Sequence, residues 1–150
     1  MKRIRWAVSA AVGILAAVGL GVVNAGPAVA DPGSWSSYKV SPLKVANGTW
    51  GCGSTTPITS GIEAQACMVR AADGIHVQGA LIVHNRRTTN YAAEAAGELY
   101  RARYWDCRRS EVGKTSWSVC YGPTYVSASE QHIAEAGVNG IYLFALGAGV

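Results

Sequence analysis

The residue types best suited to hold a ligand lie between positions 99 and 109. If this segment is extended, Arg101, Arg103 and Trp105 share one face and Tyr104 lies on the other, because side chains alternate along a strand. Arginine beside aromatic rings can hold an anionic or sugar ligand through bidentate hydrogen bonds and ring stacking. We therefore take Arg101, Arg103, Tyr104 and Trp105 as candidate binding residues. In the alternative interpretation, Trp105 fills the core and the arginines extend into solvent.

Groups that could catalyse a reaction are scattered. His76 and His84 fall on one face of a predicted strand, but about 27 Å apart, so they cannot share a proton or a metal. No serine lies in a Gly-x-Ser-x-Gly turn. Nine acidic residues can in principle supply a carboxylate pair, and Asp106 is the most promising of them. We expect a non-catalytic domain, with a small secreted hydrolase as an alternative.

Four cysteines, Cys52, Cys67, Cys107 and Cys120, predict two disulfides in a small exported chain. Three pairings are possible, and the short gaps favour Cys52–Cys67 and Cys107–Cys120. Closing each short loop would stabilise the fold by about 3 kcal/mol. No cysteine pair has the spacing of a zinc knuckle, so neither a metal nor another cofactor is expected.

The second predicted disulfide suggests another function. Residues 108–119 would form a loop closed at both ends, with Lys114 or Arg109 near its tip. A preorganised exposed loop of this kind suits the inhibition of a protease, because less chain must be ordered on binding. A protease inhibitor acting through the Cys107–Cys120 loop is therefore a further alternative.

The N-terminus has the three parts of a secretory signal. Three cationic residues precede an uncharged apolar run from Trp6 to Val23, and Ala28-Val29-Ala30 offers the small side chains that signal peptidase accepts. We predict a signal-peptide helix within residues 1–30, with cleavage after Ala30 or, as an alternative, after Ala25. A retained membrane anchor is the other alternative, because the run reaches the lower limit of spanning length. The expected product is one secreted domain, residues 31–150, without stable membrane insertion.

Most of the net charge belongs to that leader. Lys2, Arg3 and Arg5 account for three of the four net positive charges, so residues 31–150 carry only +1. A nearly neutral domain with no visible recognition fold is not expected to bind nucleic acid. The whole chain is 49% hydrophobic and 15% charged, which argues against a disordered mature protein.

Short strands separated by turns must position these residues. Ile62–Arg70 and Ile75–Asn85 flank Asp73-Gly74, and Gln131–Gly137 and Gly140–Ala145 flank Asn139-Gly140, so each pair predicts a hairpin. Further along the chain, the pattern predicts a strand over Thr115–Tyr121 that ends at Gly122-Pro123. Residues 31–37 are expected to be a flexible lead-in.

Two segments give less direct patterns. Tyr91–Trp105 contains helix-favouring alanines, but its alternation and aromatic residues favour a strand. In the last predicted strand Ile141, Leu143 and Ala145 alternate with other apolar side chains, which predicts burial on both faces. The overall prediction is an all-β fold: an antiparallel β-sandwich or barrel, immunoglobulin-like in general architecture and stapled by two disulfides.

The runs Tyr104-Trp105-Asp106-Cys107 and Cys120-Tyr121-Gly122-Pro123-Thr124 resemble those of small secreted proteins of actinomycete-type bacteria. That resemblance implies a signal peptide, a compact all-β domain and two cysteine pairs, and it transfers no catalytic residue. The expected role is surface recognition or a place in the cell exterior. The expected partner is a cell-wall glycan or an extracellular protein.

Overall fold

In the computed structural model, the described residues are 30–99, 103–127 and 131–148. They form eleven strands and one 3₁₀ turn, Pro42–Lys44. The strands are β1 (Asp31–Pro32), β2 (Ser34–Tyr38), β3 (Thr49–Cys52), β4 (Thr56–Thr59), β5 (Ile62–Arg70), β6 (His76–Asn85), β7 (Tyr91–Leu99), β8 (Arg103–Val112), β9 (Ser116–Val126), β10 (Gln131–Val138) and β11 (Ile141–Ala148). Apart from Ala30, the predicted signal peptide lies outside the described residues. Within the described part of the chain, no helix is long and apolar enough to cross a membrane.

The strands form two packed sheets. One sheet has five strands in the order β1-β8-β7-β10-β11, and the other has six, ordered β2-β9-β6-β5-β3 with β4 also paired to β5. Every pair is antiparallel except β1–β8. The predicted all-β sandwich is therefore confirmed. Both predicted hairpins, β5–β6 and β10–β11, are also present.

The turn between β5 and β6 is held by one carboxylate. Asp73 accepts hydrogen bonds from the backbone N–H groups of Ile75 (3.0 Å) and His76 (3.1 Å), and it also contacts the His76 ring. These hydrogen bonds lower the pKa of the Asp73 carboxyl group from 3.8 to about 2, and the bond from the Ile75 N–H has the largest effect. The Asp-Gly signal therefore has a mechanism here: the carboxylate satisfies backbone donors that the turn leaves unpaired.

Trp105 is the largest fully buried side chain of the core between the sheets. Three glycines on three strands make room for its ring: Gly79, Gly97 and Gly122. A Cβ at any of them would lie 2.3–2.7 Å from an indole atom, well inside the distance at which non-bonded atoms pack. The indole N–H has no hydrogen-bond partner in its buried position. The ring is therefore held by shape complementarity.

Both predicted disulfides form; one lies within a sheet and the other joins the two sheets. Cys52–Cys67 joins the directly opposed residues of β3 and β5 within the six-stranded sheet. Cys107–Cys120 joins β8 to β9 and so connects the two sheets through the core. No free cysteine occurs in the described residues.

Two segments differ from their predicted local structure. Residues 31–37 are not a flexible lead-in, because β1 and β2 pair along β8 and β9 and Trp35 donates a 2.8 Å hydrogen bond to the Arg108 carbonyl. Gly122-Pro123 does not end a strand, because β9 continues past it to Val126. The pairing of β9 with β6 shifts register at this point, which is a position where a sheet tolerates proline.

Of the segment Tyr91–Trp105, the described residues 91–99 and 103–105 are extended, as the alternation favoured. They supply β7 and the first residues of β8, which pair antiparallel. The small side chains that suggested a helix instead let β7 pack closely in the centre of the five-stranded sheet. The intrinsic preference of alanine for a helix is worth only about a few tenths of a kcal/mol per residue. Packing between two neighbouring strands stabilises the extended form by more than that.

The connection between β2 and β3 crosses the outside of the six-stranded sheet. These strands lie at opposite edges of that sheet, about 19 Å apart by strand spacing. Residues 39–48, here named the crossing loop, span this distance and bury Pro42. Ser41 and Leu43 lie over Ile82 and Trp117 of the sheet, and together they line a small pocket. The outer face of this sheet is thus partly covered by the chain itself.

Candidate functional site

The outer face of the five-stranded sheet carries exposed aromatic side chains on β11. Tyr142 is 84% exposed and Phe144 about half exposed, so the prediction that this strand is buried on both faces is wrong. The physical reason is register. Asn139 and Gly140 both have positive φ (48° and 81°) in a two-residue turn, which pairs Phe144 with the charged Glu135 on the solvent side.

Four strands build a trough on this outer face. Cross-strand register places Tyr104, Glu98, Glu135 and Phe144 in one row. The next row contains the trough floor, formed by Ala96 and Gly137, between Asp106 on β8 and Tyr142 on β11. The flanking strands β8 and β11 are three strand intervals apart, or about 14 Å. Because the floor residues are small, they leave an open volume of about 560 Å³, here named the acidic trough.

The acidic trough is lined by carboxylates and aromatic rings. Its lining includes Glu94, Glu98, Asp106 and Glu135 together with Tyr104 and Tyr142, and it includes no lysine, arginine or histidine among the described residues. Four like charges around one depression create a negative potential that attracts a cation. The tyrosine rings add faces on which a cation can rest.

The turn at one end of the trough is held rigidly. The Asn139 amide oxygen accepts a 2.9 Å hydrogen bond from the backbone N–H of Glu94. Its amide nitrogen donates to the Tyr91 hydroxyl (2.7 Å) and to the Ala92 carbonyl (3.0 Å). Asn139 therefore ties the β10–β11 turn to β7, and this end of the trough is preorganised.

The structure separates the four predicted binding residues. Tyr104 is about half exposed and lines the trough, whereas Trp105 is only 1% exposed and lies in the core. Arg103 begins β8, opposite Leu99. Arg101 lies outside the described residues. The buried Trp105 is out of reach of a ligand, as in the alternative interpretation. A binding role for Arg101, Arg103 and Tyr104 stays a prediction, and Tyr104 faces the trough.

Asp106, the acidic residue singled out from the sequence, also lines the trough. Glu98 and Glu135 are direct cross-strand partners, which places their Cβ atoms about 4.5–5.5 Å apart. A carboxylate pair at close range is a requirement of many glycoside hydrolases. The hydrolase alternative stays a prediction, in which Glu98 and Glu135 would be the catalytic carboxylate pair.

The segment between Cys107 and Cys120 is mostly strand. It consists of the end of β8, a turn over residues 113–115 and the start of β9. The exposed Lys114 lies at that turn, where its backbone N–H donates to the Asn90 side chain (3.2 Å). The expected long disulfide-closed loop is thus a short inter-sheet turn, because both flanking segments pair with other strands. Arg109 is exposed but lies within β8, away from the turn. At the turn itself the inhibitor alternative rests on Lys114, and it stays a prediction.

A second pocket, of about 270 Å³, lies beneath the crossing loop. Here the His84 ring stacks on Trp117, with centroids 3.6 Å apart and planes within 3°. His84 Nδ1 lies 3.6 Å from one oxygen of Glu63, and Arg86 binds the other oxygen at 3.0 Å. These side chains satisfy one another. The pocket also has about half the volume of the acidic trough, so it offers less room for a ligand.

On the same outer face, two tyrosines share a hydrogen bond. The hydroxyl oxygens of Tyr38 and Tyr121 are 2.9 Å apart. Burial, and then this hydrogen bond, raise the pKa of Tyr121 well above its usual value of 10.0. The pair joins the edge strand β2 to its neighbour β9, which is a structural role.

The sequence reasoning missed Tyr142 and Phe144 as site residues. A usable signal was nevertheless present. The two-residue turn at Asn139-Gly140 dictates which residues of the hairpin are opposite each other, and the charged Glu135 marks the solvent face. Reading across the turn from Glu135 would have placed both aromatic side chains outside.

Comparisons of the chain with protein-family models, with curated proteins and with solved structures find no match.

Proposed function

We propose that this protein is a secreted recognition domain whose acidic trough binds a cationic segment of an extracellular partner. The observation that carries the proposal is the lining itself: four carboxylates and two tyrosines around a floor of small residues. Two disulfides in a small β-domain are compatible with the oxidising exterior of a cell. Export further agrees with the cationic and apolar N-terminal run.

The charge of the trough decides the ligand class. Carboxylates repel an anionic polymer. A neutral sugar can stack on the aromatic rings and donate hydroxyl hydrogen bonds to the carboxylates, but it brings no positive charge to balance theirs. A protonated amine or a guanidinium uses both, by ion pairing and by contact with the ring faces. An extended basic peptide can lie along the trough, whose floor runs about 13 Å from Glu94 to Glu98 at the usual rise per residue.

The test is a titration of the exported, oxidised protein with a fluorescent tetra-arginine peptide, followed by anisotropy at two salt concentrations. We expect saturable binding that weakens as salt rises, because exposed ion pairs are screened. Tyr142→Ala and Glu135→Gln should each weaken binding by about two- to fivefold, the scale of one exposed cation–π contact or ion pair. Glu111→Gln is the matched control, because Glu111 is an exposed carboxylate outside the trough.

Two comparison ligands make the result decisive. Tetra-glutamate should not bind, and purified cell-wall glycan should bind no more tightly to the wild type than to Tyr142→Ala. Equal affinity for tetra-arginine and tetra-glutamate would refute the proposal. So would tetra-arginine binding that Glu111→Gln weakens as much as Glu135→Gln does.

A further inference from the structure

The crossing loop presents a second surface with the opposite chemistry. Val40, Leu43 and Val45 are 42–54% exposed, which is unusual for aliphatic side chains grouped in one short loop. Lys39 and Lys44 are also exposed, and residues 39–48 contain no acidic residue. The loop is therefore both apolar and cationic.

The crossing loop is also a preorganised element. The backbone N–H of Lys44 donates to the Ser41 carbonyl (3.0 Å), and the N–H groups of Val45 and Ala46 donate to the Pro42 carbonyl (3.1 and 2.9 Å). Pro42 itself is buried against the protein. A loop held in this way loses little conformational entropy when it binds a partner.

The crossing loop and the acidic trough complement each other, but one molecule cannot bring them together. The loop lies on the outside of the six-stranded sheet, and the trough lies on the outside of the five-stranded sheet. The two sheets of a sandwich pack about 10 Å apart with their outer faces pointing in opposite directions. Any contact between loop and trough must therefore join two molecules.

We propose that the crossing loop of one copy docks into the acidic trough of a second copy, so that the protein assembles head to tail. This inference rests on the proposed function and identifies the cationic segment as one of the protein's own. Lys39 and Lys44 would pair with trough carboxylates such as Glu135. The exposed aliphatic side chains would pack on Tyr142 and Phe144.

The form of the assembly follows from this geometry. Loop and trough are different surfaces, so the contact is heterologous, and each bound pair keeps one free loop and one free trough. Addition of further copies then extends a filament or closes a ring. A second copy is favoured over a lipid surface because it covers both exposed apolar patches, whereas a membrane would cover the loop and leave the aromatic residues of the trough in water.

The test uses sedimentation velocity of the exported, oxidised protein over a range of concentrations. We expect the average mass to rise with concentration and to fall again in high salt. A loop variant, Lys39→Glu/Lys44→Glu, and a trough variant, Glu135→Lys, should each weaken association at least tenfold. Lys114→Glu, which reverses an exposed lysine at a different turn, is the matched control and should assemble like the wild type.

A mixture of the two variants gives the sharpest result. The loop variant keeps an intact trough, and the trough variant keeps an intact loop. Mixed in equal amounts, they should form a one-to-one complex that does not grow further. If two variants that are each monomeric remain monomeric when mixed, a head-to-tail contact is excluded.

The outcomes separate this inference from the proposed function. If the wild type is monomeric at every concentration but binds tetra-arginine, the inference is wrong and the proposed function stands. If the loop variant assembles normally, the crossing loop is not the ligand. If the wild type is monomeric and binds vesicles of one-third phosphatidylglycerol only with an intact loop, the loop docks on lipid and the inference is overturned.

Discussion

The fit of Trp105 among glycines makes one substitution decisive. Gly97→Ala would place a Cβ 2.3 Å from Cζ2 of Trp105 and 2.8 Å from the Glu135 carbonyl oxygen, whereas carbon atoms pack at about 3.5–4.0 Å. Gly97 lies in the middle of β7, between two paired strands, so the backbone cannot move away freely. We expect the variant to lose about 1–3 kcal/mol of unfolding free energy, the usual cost of overpacking a core.

A double-mutant cycle shows whether the ring is the cause. Trp105→Phe removes the atoms that clash and also the indole N–H that has no partner. It should cost less than the roughly 3–5 kcal/mol of a tryptophan-to-alanine change. The loss of unfolding free energy in Gly97→Ala/Trp105→Phe should then be smaller, by at least about 1 kcal/mol, than the sum of the losses in the two single variants. Urea unfolding followed by far-ultraviolet circular dichroism measures all four proteins.

Gly137→Ala provides the control for that cycle. A Cβ at Gly137 would meet the Ile141 carbonyl oxygen at 3.1 Å and would not touch Trp105. Its effect should therefore add to that of Trp105→Phe within about 0.5 kcal/mol. If Gly97→Ala is also additive with Trp105→Phe, or if it costs nothing, then the indole does not occupy the position described and the account of the core fails.

Three further predictions concern pH and the inter-sheet disulfide. Because the folded protein lowers the pKa of Asp73 from 3.8 to about 2, its carboxylate contributes stability above pH 3.8 that is lost as pH falls towards 2. Asp73→Asn should remove that part of the acid dependence of the thermal midpoint, and an unchanged acid limb would contradict this. The raised pKa of Tyr121 has the opposite effect on the pH dependence of stability. Stability should fall as pH rises above 10.0, because the unfolded chain ionises there before the folded protein does. Tyr38→Phe removes the hydrogen bond to Tyr121 and should therefore lower the pH at which the tyrosinate absorbance of Tyr121 appears. Replacing Cys107 and Cys120 by alanine should lower the unfolding free energy by about 2–5 kcal/mol in urea, and a loss below about 1 kcal/mol would be inconsistent with a bridge that joins the two sheets.

Several features could be predicted from the sequence because their causes are local. The Asn139-Gly140 turn works through positive φ at two adjacent residues, which depends on those residue types alone. The pairing of Cys107 with Cys120 followed from the short gap between these cysteines in a chain expected to be exported. The alternation in β7 was likewise enough to favour a strand over a helix.

The candidate site could not be predicted in the same way, because it depends on which strands become neighbours. Glu98 and Asp106 belong to adjacent strands, but Glu135 and Tyr142 reach them only because β10 pairs with β7 across more than thirty residues of chain. Aromatic side chains in β11 are equally consistent with a buried and an exposed face until that pairing is known. The inward direction of the Trp105 side chain could not be predicted for the same reason, because it depends on which strands pack around the ring.

The sequence by itself determined a cationic and apolar N-terminal run, short strands, two tight hairpins and two cysteine pairs. Each of these follows from backbone preference, side-chain alternation or chain proximity. Only the tertiary structure decided that Trp105 turns inward among glycines while Tyr104, one residue earlier, faces a trough of carboxylates. The physical reason is that the face of a strand is chosen by what packs against it. That depends on contacts between residues distant in sequence, which no local pattern encodes.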